Sequence, residues 1–386
     1  MYDALIIGAG PAGSYIASKL ATWGYKVLVF EQRERVGEAV CCTGIVGREC
    51  LDTFPFGKEA ILREARSAKL FAPSGESLRL EKETTQAYIV DRFIFDSAIA
   101  RKAQEEGAEY LLASQARDIT IENEFVRVEV EIKKQRVNFE GKTAVIASGF
   151  GSKFSQRIGL GENGDFVMGA QAEVEAEAGE VEVYFGNHIA PGFFAWLVPT
   201  SQGKALAGLL SRYHTSAYLR NFLVHLSEQG KIASPEVKVN YGGIPLKPLP
   251  KTSKERVIVV GDAAGQVKPT TGGGIYYSLL CAEIAAETLH QALSSHDFSA
   301  KVFAEYEKKW REKLIRELKV DYWARRLFER LSDKQIERLF HLIQSKHIHQ
   351  SLLNSADFSF DWHSRLILKG LGYLGPRSIP LMIRPL

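Results

Sequence analysis

"DALIIGAGPAGSYIASKLATWGYKVLVFEQ", residues 3–32, opens with an apolar run from Ala4 to Ile7. Gly8-Ala9-Gly10-Pro11-Ala12-Gly13 follows, then apolar residues at helical spacing, Ile16, Leu20 and Trp23. A second apolar run, Val27 to Phe30, ends in Glu31. The pattern is strand, tight glycine turn, helix, strand. Gly8 permits the sharp turn, Gly10 lets backbone approach a pyrophosphate, and Gly13 lets the helix pack closely on the sheet. Phosphates then sit on the free N–H groups at the positive end of the helix. Glu31, at the end of the second strand, is placed to accept from a ribose hydroxyl. Strand, helix and acid all agree with dinucleotide binding. The motif by itself does not choose between FAD and NAD.

The chain has 386 residues, 45% hydrophobic and 25% charged, which is enough for two domains around large buried cores. A net charge of +3 excludes a nucleic-acid binder with a strong overall field. Four cysteines make no disulfide framework, and the N-terminus reads as no secretory signal, so the expected compartment is the reducing cytoplasm. No run of about 20 apolar residues calls for a membrane-spanning helix. Residues 361–386 instead interleave apolar runs with Arg365, Lys369, Arg377 and Arg384 against the single acid Asp361. That composition suits either peripheral contact with the inner face of the membrane or docking on the chain's own domain.

Further along, residues 88–119 read as a strand, a helix from about Arg92 to Glu106, a stop at Gly107, and another strand. A cation at a helix start is unfavourable on dipole grounds, so Arg92 answers either a nearby anionic ligand or a partner such as Asp96. Residues 117–140 alternate as an antiparallel meander. "RVIVVGDAAGQVKPTTGGGIYY", residues 256–277, delivers Asp262 from a buried strand and opens a long helix after Gly272-Gly273-Gly274. Asp262 can bond a polyol hydroxyl there, and the glycines let backbone N–H groups reach a flat ring or a phosphate. Beyond Leu293 the pattern is helical, with Val320, Trp323, Leu327 and Leu331 as the expected apolar face of a helical cap.

The ordered set GAGPAG, DRxxFD (Asp91 to Asp96) and GDAAGxxxPxxGGGI resembles the FAD-dependent oxidoreductases built like para-hydroxybenzoate hydroxylase. Ser148-Gly149 stands where such proteins often carry Asp-Gly. Within that superfamily the chain is most similar to the geranylgeranyl reductase family. Two stretches carry that likeness: Cys41-Cys42-Thr43-Gly44, and "FAWLVP", Phe194 to Pro199, a partial match to Tyr-x-Trp-x-Phe-Pro.

The resemblance implies a mixed α/β fold. A Rossmann-like FAD-binding domain would take residues 1–165 and 245–295, an antiparallel-sheet substrate domain 166–244, and a helical region 296–386. It implies FAD as cofactor, with Cys41, Cys42 and Gly44 against it and Ala12, Arg92, Ala116, Gly273, Gly274 and Ile275 among its contacts. The implied reaction is saturation of prenyl C=C bonds by hydride from reduced flavin. An external electron donor, NAD(P)H or ferredoxin, would reduce the flavin. An unactivated alkene needs a hydride donor, a proton donor and an apolar slot, for which Phe193, Phe194 and Trp196 offer wall.

Cys41 aligns with the family's cysteine near the alkene, as proton donor or as pocket wall. No histidine or second CxxC accompanies the cysteines, so no metal site is expected. Cys50 falls in a following helix as a bystander. Two other readings stand beside this one. A flavin-dependent monooxygenase or halogenase would need a catalytic lysine, for which Lys69 is the candidate; a prenyl-lipid or flavin binding protein would need no catalytic group.

Overall fold

The computed structural model describes residues 1–374. Strand Tyr2–Ile7 pairs in parallel with Val27–Phe30 on one side and with the end of Gln135–Ile146 on the other. Leu5 and Ile6 are fully buried on opposite faces, which is why this strand reads as a continuous apolar run rather than an alternation. The sheet extends to Glu109–Leu111 beyond Val27–Phe30, and to Val257–Val259 and Ser253–Lys254 beyond Gln135–Ile146. The first half of Gln135–Ile146 pairs antiparallel with Val126–Ile132, and that strand pairs with Ser114–Ile121, the expected meander.

Helices Pro11–Thr22, Arg92–Glu105 and Ile275–Ser295 pack together on one face of this sheet. Asp91 caps the second of them, its carboxylate accepting from the Ile94 N–H at 3.0 Å.

A second sheet of seven strands runs Val239–Pro245, Phe166–Glu175, Lys204–Ser211, Phe194–Pro199, Val181–Phe185, Ser67–Phe71, Ser77–Glu81. All its pairings are antiparallel except Val181–Phe185 with Ser67–Phe71. Helix Thr215–Glu228 covers one face, and the other looks toward the first sheet. Two strands of this sheet come from residues 67–81, so the segment 1–165 builds part of both sheets.

Helix Ala300–Phe328 begins the C-terminal region, followed by helices Asp333–Ser345, Ile348–Leu353 and Ser364–Leu374. Its buried stripe is Phe303, Tyr306, Trp310, Leu314 and Leu318, continued by Asp321 and Arg325. Within the helix the expected face is therefore out of phase, with Val320 and Leu327 half-buried and Trp323 39% exposed, while Leu331, just beyond the helix, is buried as expected. The last two turns point polar side chains inward, toward the loop at Thr270, which accepts Arg325 through its carbonyl and donates its hydroxyl to Asp321. Counting apolar residues alone misses such a stripe.

Candidate active site

One cavity of about 980 Å³ runs between the two sheets, from Glu31 and Ala116 at one end to Phe194 and Trp196 at the other. The glycine turn shapes its middle. Gly8 has φ +103°, and a Cβ there would overlap the Ala147 carbonyl. A Cβ on Gly13 would overlap the Gly8 carbonyl, so this glycine sets the close approach of helix to turn. Gly10 differs from both: a Cβ there meets nothing within 4 Å, because the position faces the cavity.

Helix Pro11–Thr22 has no side-chain cap at Gly10, and helix Ile275–Ser295 has none at Gly274. Gly10 and Ala12 from one helix start, and Gly273, Gly274 and Ile275 from the other, line the same cavity. Two uncapped helix N-termini over open space form a cradle for an anionic dinucleotide. Glu31 is held at its far end, accepting from the Ala9 and Arg33 N–H groups at 3.0 and 2.9 Å. The Asp262 carboxylate rests against Gly274. Burial raises the Asp262 pKa, with Arg92 opposing the shift. These residues fit FAD: the free amides would hold its phosphates, Glu31 would hold its ribose, and Asp262 with the glycine loop would meet its ribityl chain and ring.

Arg92 lines the cavity and is also paired. Its guanidinium makes a bidentate contact with Asp96 at 3.0 and 2.8 Å, with its side chain 14% exposed. Burial alone would lower its pKa, but Asp96 and then Cys42 outweigh that and raise it. Ser148 and Ser152, joined by a 2.7 Å hydroxyl bond, line the wall where the superfamily often places Asp-Gly.

The other end of the cavity is apolar. Val181, Val183, Phe194, Trp196, Val198 and Leu210 project from the second sheet, and Cys41 and Cys42 face them. The Cys41 Sγ lies 3.5 Å from the Asn240 carbonyl, to which it can donate. Burial, with Cys42 adding to it, pushes the Cys41 thiol up to about 11. Gln171 is the buried polar side chain among these walls: its amide donates to the Cys42 carbonyl at 3.2 Å, and its oxygen accepts from the Trp196 indole at 3.3 Å.

Three expected positions fall elsewhere. Gly44 does not line the cavity; with φ +70° it packs on the Val90 carbonyl, and its N–H donates to the Cys42 Sγ at 3.4 Å. It closes the turn behind the cysteines because only a residue without Cβ fits against that strand. Phe193 is core, stacked under the Arg325 guanidinium at 4.5 Å. Lys69 sits over the Phe71 ring at 5.0 Å, while its neighbour Ala68 faces the cavity, so strand alternation turns the candidate halogenase lysine away. Cys50 is buried in helix Arg48–Thr53, as expected. The side chains of Glu76, Glu337 and His341, close enough to share a metal ion, are separate from the cavity and from both cavity cysteines.

Sequence reading missed Gln171 and a buried ion pair. Lys268 and Asp361 line the cavity 2.9 Å apart, with side chains 5% and 3% exposed. The signal for the second was present, since Asp361 is the lone acid of the last 26 residues.

A single dinucleotide cradle opening directly into an apolar slot walled by an antiparallel sheet defines a flavin-type oxidoreductase. Residues 2–179 match the pyridine nucleotide-disulphide oxidoreductase family. The digeranylgeranylglycerophospholipid reductase of Methanocaldococcus jannaschii is 31% identical, over 88% of this chain and 90% of its own length. That of Methanosarcina acetivorans is also 31% identical, over 88% of each chain. The chain belongs to the geranylgeranyl reductase family of FAD-dependent oxidoreductases. Its fold is shared with a geranylgeranyl bacteriochlorophyll reductase-like protein of Thermoplasma acidophilum, with TM-score 0.85, 24% identity and 99% of both chains covered. A triple mutant of the flavin-dependent brominase Bmp2 shares it less closely, with TM-score 0.69, 17% identity and 99% and 97% covered.

Proposed function

We propose that this protein saturates C=C bonds of a prenyl lipid or isoprenoid side chain. The observation that carries the reading is the continuity of the cavity: the cradle of Gly10 and Gly274 opens without a partition into the slot of Trp196 and Val183. FAD bound in the cradle supplies, when reduced, the hydride for one alkene carbon. The Cys41 Sγ–H supplies the proton for the other carbon, and the thiol is reprotonated before the next turnover. A thiol whose pKa is near 11 is fully protonated at neutral pH, which suits a donor and not a nucleophile. Trp196, Phe194 and the valines hold the chain and keep water out; Gln171 fixes the indole against the cysteine loop.

Among the described residues no helix is long and apolar enough to cross a membrane. Helix Ser364–Leu374 exposes Leu368 and Tyr373 beside Arg365. We assign it, with the basic and apolar residues 375–386 that lie outside the described residues, to peripheral contact with the bilayer that supplies the substrate. The test is anaerobic. Reduced holoprotein is mixed with geranylgeranyl lipids, and mass spectrometry reads the gain of one H₂ per double bond while absorbance reads flavin reoxidation. Parallel arms with NADPH, NADH and reduced ferredoxin identify the donor. Reoxidation only on admission of oxygen would sink the reading.

A further inference from the structure

A buried charged pair in a cavity wall needs a reason. Lys268 and Asp361 are 93 residues apart in sequence and 2.9 Å apart in space. Taking two charges out of water is unfavourable enough that a well-packed apolar pair would serve structure equally well or better. Packing therefore does not account for them.

Their placement does. The Lys268 N–H donates to the Gly273 carbonyl at 3.1 Å, and the Gly272 N–H to the Lys268 carbonyl at 2.8 Å. Its side chain lies along the same loop, with Cε 3.0 Å and Nζ 3.6 Å from where a Cβ on Gly273 would be. This is the glycine loop of the cradle, so a ring seated on it shares that wall of the cavity with the ammonium. The cation also donates to the Phe360 carbonyl at 3.3 Å.

Asp361 is held with equal care. Its carboxylate packs on Gly47, where a Cβ would overlap it, and its carbonyl accepts from the Tyr277 hydroxyl at 3.0 Å. The next residue, Trp362, donates to Glu49, and His363 bonds the Thr270 hydroxyl at 2.9 Å. The C-terminal segment thus delivers one negative charge to one lysine on the glycine loop.

We infer that Lys268 and Asp361 tune the redox cavity: Lys268 places a cation beside the ring-binding loop, and Asp361 positions and offsets it, setting how readily bound flavin accepts electrons. Reduced flavin carries negative charge on its ring when deprotonated, so an uncompensated cation in a low-dielectric wall favours the reduced form, and an uncompensated carboxylate disfavours it. The inference rests on the FAD reading of the cradle and is independent of the prenyl substrate.

Spectroelectrochemical titration of FAD-loaded wild type, Lys268→Met, Asp361→Asn and the double variant tests it. The midpoint potential rises in D361N, so the reduced-to-oxidised ratio at a fixed applied potential increases several-fold. It falls in K268M, where the carboxylate stands without its cation. The double variant returns toward wild type although both native side chains are gone. If D361N does not fold, K268M against the double variant still isolates the lone carboxylate, and K268M must lie lower. Equal potentials in all FAD-loaded proteins, with only melting temperature changed, would reduce the pair to a structural clasp and overturn the inference alone. Failure of wild type to bind FAD would overturn the cofactor reading and this inference together.

Discussion

The Trp196 indole N–H donates to the Gln171 side-chain oxygen at 3.3 Å, and through Gln171 the slot wall is tied to the backbone of the cysteine pair. The indole is fixed from the other side as well, because it lies over Gly208, where any Cβ would overlap the ring. Gln171→Leu keeps the volume but leaves the indole N–H and the Cys42 carbonyl buried without partners, a loss of about 1–3 kcal/mol for each. The expected result is a lower denaturation midpoint with FAD still bound, and a raised KM for the prenyl chain. Chemical denaturation and steady-state kinetics read the two effects separately.

Gly10 and Gly13 sit three residues apart and should fail differently. Gly13→Ala drives its methyl into the Gly8 carbonyl and destabilises the fold by about 1–3 kcal/mol. Gly10→Ala meets no protein atom, so the apoprotein melts as wild type, while FAD affinity drops roughly tenfold or more, equivalent to about 1.4 kcal/mol. Calorimetry of the apoproteins and titration with FAD distinguish them.

Cys41→Ala should lower prenyl turnover on the order of a hundredfold or more if its thiol is the proton donor. Cys41→Ser preserves the shape and falls as far, since a hydroxyl is the weaker acid. Full activity in the alanine variant would make Cys41 a wall residue. The pH dependence has a fixed sign. Burial raises the thiol to about 11, so the protonated form is favoured in the fold and alkylation of Cys41 is slow at neutral pH. Its rate climbs as pH rises toward 11, later than for an unperturbed cysteine near 8.5.

Truncation separates the wall from the membrane contact. Removing residues 375–386 leaves the Lys268–Asp361 pair in place, and turnover should fall more on liposomal than on detergent-solubilised substrate. Ending the chain at Phe360 takes Asp361 away as well and leaves the Lys268 ammonium buried without its partner. Both substrate forms should then lose activity together. Equal losses in the shorter truncation would exclude a membrane role for the tail.

Local geometry was legible in the sequence, and distant partners were not. Gly8, Gly10 and Gly13 have different duties at fixed spacing, so the turn and the helix behind it followed from the motif. The meander followed from alternation. Resemblance puts Gly44 against the cofactor, whereas the strand it packs on carries Val90, 46 residues on, which no local pattern reveals. Counting apolar residues turns Trp323 inward, but Asp321 and Arg325 hold the inward face because the Thr270 loop satisfies them. Gln171 gives no signal at all, being one polar residue in a strand whose significance depends on Trp196 two strands away and on Cys42 in a loop from earlier in the chain.

The position of Asp361 late in the chain has a bearing on biosynthesis. Synthesis runs from the N-terminus, and the glycine turn, the cysteine loop and the Lys268 loop are all made before this carboxylate exists. On the ribosome the Gly47 side of the cavity therefore lacks its carboxylate until Asp361 has emerged. A chain released before Asp361 leaves the Lys268 ammonium without that partner. Asp361 is thus the last of the cavity-lining residues to be synthesised, and the charge balance of that wall is set late in translation.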